Sequence, residues 1–151
     1  MLAKAISIAA QWYEKIKDKG GKPYILHCIR VMNNLCNPDE ELQCVAILHD
    51  CVEDGIIDIQ DLYNYWFTAR VCEAVVLLTH SKLMSYDEYI QWLSFNKDAV
   101  LVKIADLKDN SDITRLKWLR EKDLERMAKY HKAYIYLSSL PISSCELSQQ
   151  M

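Results

Sequence analysis

The run AILHDCVEDG, residues 46–55, puts His49, Asp50, Glu53 and Asp54 at the end of an otherwise apolar stretch. Core packing does not ask for this, because burying ionisable groups without partners is costly. Two acids at a helix C-terminus also oppose the negative end of the helix dipole. Two more candidates lie where separate helices can bring them close: His27 in PYILHCIRV and Asp106 in VLVKIADLKDN. Two His and two Asp make a mixed nitrogen–oxygen donor set suited to a divalent transition metal. Such an ion lowers the pKa of bound water and polarises a phosphoryl oxygen. Each residue alone has a plainer reading. A single His in an apolar helix is more often a hydrogen-bonded core residue, and Asp106 could mark where a helix meets water. The joint pattern H…HD…D on successive helices is much rarer by chance.

Helical spacing then assigns the acids. His49 and Glu53 are four residues apart, as are Asp50 and Asp54, and Asp50 and Glu53 are three apart, so each pair shares a face. His49 and Asp50 lie roughly 100° apart around the axis, and one ion at the flank can be reached by both. Glu53 and Asp54 fall one turn beyond, the place for a general base or a water-orienting carboxylate. Lys19, Lys22 and Lys103 are candidates to offset phosphate charge.

The elements that must position these groups read as helices throughout, with no convincing strand pattern. The expected helices are 2–17, 25–36, 38–54, 59–66, 69–80, 86–95, 97–110 and 121–137. DKGGKPY, residues 18–24, is the clearest loop. Asn37-Pro38-Asp39-Glu40 reads as a restart with Asn37 capping and Pro38 in the first turn. Gly55 should end the third helix. Asp58 and Thr68 should cap the fourth and fifth, and Ser85 with Glu88 forms a capping box for the sixth. The expected organisation is one all-α domain over residues 1–140, with a flexible tail over 141–151.

Composition agrees. The chain has 151 residues, 51% hydrophobic and 26% charged, with only 3 Gly and 3 Pro. That allows one real core and leaves little room for irregular loops. A net charge of −3 gives no basic surface for nucleic acid. No stretch reaches the roughly 20 apolar residues of a membrane span. The start, MLAKAISIAAQWYEK, is amphipathic and does not read as a signal peptide. The 6 Cys show no metal-knuckle spacing and read as reduced, mostly buried residues of a cytoplasmic protein.

The stretches GKPYILHCIRV (21–31), ILHDCVEDG (47–55) and LVKIADLKDN (101–110) together resemble the HD-domain metal-dependent phosphohydrolases. Within them the chain looks most like the hydrolase domain of the RelA/SpoT enzymes and their compact single-domain homologues, which remove the 3′-pyrophosphate from (p)ppGpp. The resemblance implies a helical HD-domain bundle and metal ligation by His27, His49, Asp50 and Asp106, typically of Mn²⁺. It implies water activation by Glu53 and Asp54, and nucleotide contacts from Asn110 and Lys19. The partner implied is a phosphorylated nucleotide, and a homo-oligomer stays open. There are departures: Asp18 stands where the family carries an Arg, and Ile113 where it often carries a small polar residue. An acid at position 18 is expected to repel a polyphosphate that an Arg would clamp. Two other readings stay open, a hydrolase of dNTPs or nucleoside monophosphates on the same metal set, and a non-catalytic nucleotide-binding protein.

Overall fold

The computed structural model describes residues 1–141. The expected tail therefore lies, but for Pro141, outside the described residues. The elements in chain order are α1 (Leu2–Trp12), α2 (Ile25–Asn33), α3 (Glu40–Leu48), α4 (Ile59–Asn64), α5 (Ala69–Leu78), α6 (Tyr86–Leu93), α7 (Lys97–Asn110), a 3₁₀ turn (Ile113–Arg115) and α8 (Glu121–Ser138). The all-α expectation holds. Among the described residues the extended pairing is one isolated bridge, Lys17 to Pro23, which pinches the loop between α1 and α2.

α3 is the axis. Leu42, Cys44, Val45, Ala46, Ile47 and Leu48 are all buried, and a helix apolar on every side must be surrounded. α1, α2, α5 and α7 pack around it. Each fully buried Leu, Ile or Val contributes roughly 1.5–3 kcal/mol of apolar transfer free energy, which fixes the arrangement. α2 packs against both α3 and α7, and α3 packs against α7. The helices bearing His27, the α3 terminus and Asp106 are thus mutual neighbours.

Helix starts follow local chemistry. Asp58 accepts from Asp61 N at 2.8 Å, Thr68 from Val71 N at 3.4 Å and Ser85 from Glu88 N at 3.3 Å. The α3 restart is corrected: Asp39 is the cap, accepting from Leu42 N at 2.9 Å. Asn37 instead holds a positive φ of 44° in the preceding turn, a conformation Asn tolerates. Helix ends fall short of the expected ones by two or more residues in α1 to α6.

The largest correction is at the end of α3. The helix stops at Leu48 and not near Asp54; residues 49–54 continue as tight turns. Gly55 still closes the segment. At φ 68° it sends its N–H to Val52 O at 3.0 Å, while Ile56 N reaches Cys51 O at 3.0 Å. This paired bonding with a left-handed Gly is the Schellman closure. The five described Cys are free thiols, with Cys28, Cys44, Cys51 and Cys72 buried. Among the described residues no helix is long and apolar enough to cross a membrane.

α4 ends in the same closure with a bulkier residue. Trp66 N meets Tyr63 O at 2.9 Å and Phe67 N meets Leu62 O at 3.2 Å. Trp66 has φ 64°, yet its side chain is 85% exposed. A left-handed L-residue costs roughly 1–2 kcal/mol, offset in part by the extra unfolded-state freedom of a Gly. Trp66→Gly should therefore raise stability by about 0.5–1 kcal/mol, read as a higher melting temperature by calorimetry. A lowered melting temperature would show that the indole makes stabilising contacts.

Candidate metal centre and its cleft

The first turn of α2, the α3 terminus and the second half of α7 meet at one point. His27 Nε2 lies 3.5 Å from Asp50 Oδ2 and 3.3 Å from Asp106 Oδ1. His49 Nε2 lies 3.0 Å from Asp50 Oδ2 and 3.6 Å from Asp106 Oδ1. The four predicted ligands from three segments thus face each other across one small space. Both Nε2 atoms are buried without a hydrogen-bond partner. Their other ring nitrogens are taken: His27 Nδ1 meets Asp109 Oδ2 at 2.6 Å and His49 Nδ1 meets Ala46 O at 2.7 Å. A ring that donates from Nδ1 turns its Nε2 lone pair outward, the posture of a metal-ligating imidazole. His27, His49 and Asp50 form a group able to hold a metal ion, and the Asp106 distances extend it.

Electrostatics agree. Burial disfavours imidazolium at His27, yet Asp106, Asp109 and Asp50 outweigh it and push the pKa up to about 11. At His49 burial opposes the same rise, and Asp50 and Asp106 still lift it to about 9. Burial likewise opposes ionisation of Asp50 and Asp106. The histidines, with Lys103 at Asp106, nonetheless hold both well below the usual carboxylate range. Two carboxylates with two neutral imidazoles demand positive charge, which protons or a divalent cation can supply.

All but one of the remaining predicted residues fall around one cleft. Lys19, Glu53, Asp54, Lys103 and Asn110 all line it beside His27, Asp50 and Asp106. Glu53 accepts from His80 N at 2.9 Å, tying the turn after α3 to the end of α5. Asp54 accepts from Tyr13 Oη at 3.2 Å. These anchors replace the helical spacing that the sequence suggested. Lys103 Nζ and Asn110 Nδ2 meet the two oxygens of Asp106 at 2.9 and 2.6 Å. Lys22 does not line the cleft; its backbone serves the loop, giving N–H to Asp18 Oδ1 at 2.9 Å.

Asp18 overturns the expectation of a repelling acid. Its side chain is only 4% exposed. Oδ1 accepts from Gly20 N and Lys22 N, both at 2.9 Å, and Oδ2 accepts from Arg115 Nη2 at 2.7 Å and Arg30 Nη2 at 3.3 Å. The carboxylate is spent on the loop and two guanidinium groups, not presented to a ligand.

Sequence reasoning also missed residues that act through their neighbours. Tyr24 donates to Asp50 Oδ2 at 2.5 Å and packs edge-on to His27 with centroids 5.2 Å apart. Its position three residues before His27 was the available signal. Asp109, bonded to His27, Arg30 and Arg115, lies three residues after Asp106 on the same helix face. Tyr13 gave none, since a buried Tyr in an amphipathic helix reads as core.

No protein-family model matches the chain. Curated relatives bear out the resemblance. The chain is 25% identical over 150 residues to a probable guanosine-3′,5′-bis(diphosphate) 3′-pyrophosphohydrolase of Mycoplasma pneumoniae, an alignment covering 85% of this chain and 20% of that protein. It is 29% identical over 122 residues to a probable enzyme of the same name from Synechocystis, covering 73% of the chain and 16% of that protein. The third relative is the guanosine-3′,5′-bis(diphosphate) 3′-pyrophosphohydrolase of Aquifex aeolicus, 26% identical over 137 residues, with 85% and 19% covered. The chain thus spans about a fifth of the length of these relatives. Its fold matches a solved metazoan ortholog of SpoT, described as hydrolysing ppGpp, with a TM-score of 0.78 and 24% identity, covering 98% of this chain and 92% of that one.

Metal uptake should release protons. Without metal the raised histidine pKa values keep both rings largely protonated at pH 7, and a divalent ion must displace up to about two protons. Calorimetry of Mn²⁺ binding in buffers of different ionisation enthalpy reads that number. Binding with no proton release would contradict the site. The histidine–carboxylate contribution to metal-free stability is full between the ordinary carboxylate value of 3.8 and the ordinary imidazole value of 6.5, falls away as pH drops below 3.8, and declines as pH rises through about 9 to 11.

Proposed function

We propose that this chain is a metal-dependent phosphohydrolase that removes the 3′-pyrophosphate from (p)ppGpp-like guanosine nucleotides in the cytoplasm. The single observation behind this reading is the pair of buried, unpartnered Nε2 atoms facing Asp50 and Asp106 at the floor of a cleft. The names of the curated relatives supply the nucleotide. His27, His49, Asp50 and Asp106 would hold Mn²⁺, which when bound supplies Lewis-acid polarisation and a lowered water pKa.

The chain's own groups do the rest. Glu53 and Asp54 stand on the cleft wall, held by His80 N and Tyr13 Oη, and take the proton of the water that attacks the 3′ phosphorus. Partial burial and then the charge of Asp50 raise the Asp54 pKa, which brings a carboxylate nearer the range useful to a general base. As the water oxygen bonds to phosphorus the P–O3′ bond breaks with its electron pair on O3′, which receives the proton held by the carboxylates; pyrophosphate leaves a nucleotide with a free 3′-hydroxyl. Lys19 and Lys103 offset phosphate charge, and Asn110 contacts the nucleotide from the turn after Asp106. Burial and then the charge of Arg126 lower the Lys19 pKa against the pull of Asp123, and an incoming phosphate would favour its charged form.

The direct test is incubation of the protein with Mn²⁺ and a panel of ppGpp, dNTPs and nucleoside monophosphates, with products separated by ion exchange. Pyrophosphate from ppGpp is expected. Triphosphate from dNTPs or phosphate from monophosphates would move the chain to other nucleotides, and binding without products would make it a sensor. Glu53→Gln and Asp54→Asn should each keep metal and lower kcat by about 10²–10⁴-fold. Full turnover in both, with metal retained, would remove the acidic pair from the mechanism.

A further inference from the structure

Arg115 is a cleft residue that the reading above leaves unused. It closes the 3₁₀ turn after α7, lines the same cleft as Asp50 and Asp106, and its side chain is 19% exposed. Its guanidinium is fixed from behind. Nη1 donates to Asp109 O at 2.7 Å and to Asp109 Oδ2, and Nη2 donates to Asp18 Oδ2 at 2.7 Å. A guanidinium has five N–H donors. Nε–H and one Nη2–H are left without a protein acceptor among the described residues. That is the donor set that takes a phosphate in two parallel bonds.

Two features make this a presented donor and not merely a buried ion pair. Arg30 shares both acids, with Nε at 2.6 Å from Asp109 Oδ1 and Nη2 at 3.3 Å from Asp18 Oδ2. The acids therefore stay neutralised when Arg115 spends donors on a ligand. The location is also set: Arg115 meets Asp109, and Asp109 meets Nδ1 of His27. Arg115 thus lies on the far side of that ring from Nε2, away from the proposed reaction centre.

We infer that Arg115, aimed by Asp18 and Asp109, binds the 5′-phosphates of the nucleotide while its 3′-pyrophosphate lies at the metal site. This rests on the proposed hydrolase reading. Asp18 is then a positioning residue, and the guanidinium that position 18 lacks reaches the cleft from the other end of the chain.

The test compares ppGpp with guanosine 3′-diphosphate, which lacks 5′-phosphates, measuring KM, kcat and calorimetric Kd on the Mn²⁺-loaded protein. Arg115→Ala should raise KM and Kd for ppGpp about 10- to 100-fold, the scale of hydrogen bonds to a charged group. It should leave kcat within a few-fold and the truncated analogue unaffected. Asp18→Asn should shift ppGpp the same way by less. Arg115→Lys, with metal content and melting temperature measured beside it, guards against a folding defect: it should keep both near wild type and still weaken ppGpp selectively. Equal penalties on the two nucleotides would make Arg115 structural and overturn the inference. If wild type binds ppGpp without hydrolysing it and Arg115→Ala weakens only ppGpp, the reaction reading falls and the Arg115 assignment stands. If wild type binds no ppGpp, both fall.

Discussion

Two carboxylates pressed against two imidazole nitrogens inside a helical core create a local demand for positive charge that the protein alone meets only with protons. Asp50 and Asp106 each lie within 3.6 Å of both Nε2 atoms, where the low dielectric strengthens every attraction and every repulsion. The contacts around this centre serve that demand. Lys103 and Asn110 take the outward lone pairs of Asp106, Tyr24 takes one of Asp50, and Asp109 and Ala46 O fix the two rings. Removing one of these partners would leave a buried charge less well compensated, which typically costs more than the contact itself contributes.

The all-α packing follows from the same requirement. α3 must run through the middle of the domain to carry His49 and Asp50 into the interior, and its continuous apolar surface lets it do so. α7 solves a harder problem, since it buries Asp98, Asp106 and Asp109 along with its apolar residues. Each of these acids has a cationic partner: Arg70 for Asp98, Lys103 for Asp106, and Arg30 with Arg115 for Asp109. The acid-rich helix is tolerable only because other elements bring those cations to it.

Much of this was legible in the sequence, for identifiable reasons. α7 was read with its observed limits, Lys97 to Asn110, because periodicity and end signals agreed there. The Ser85, Asp58 and Thr68 caps were visible because short polar side chains before apolar runs have few other uses. His27, His49, Asp50 and Asp106 stood out as ligand types in apolar company. What failed was whatever depended on partners distant in the chain. Spacing alone carries the α3 helix through Asp54, because it cannot show that Tyr13 and His80 hold the acids after the helix has stopped. Asp18 reads as a repelling acid in the sequence because its partner Arg115 lies 97 residues away. Arg115 itself sits in a 3₁₀ turn with no periodic signal.

Asp109 is a single carboxylate with three clients, the ring nitrogen of His27, the guanidinium of Arg30 and the guanidinium of Arg115, and the first and last of these sit at the two ends of the cleft. Electron density that it lends to one is less available to the other. Whatever occupies the Nε2 face of His27 alters how strongly Nδ1–H donates, and whatever engages Arg115 alters how much of Asp109 remains to accept. The cleft's two ends are therefore thermodynamically linked through one side chain. With the proposed ion at one end and the proposed anion at the other, reciprocity would make each change the other's affinity by the same factor. Such a coupling would need no moving part.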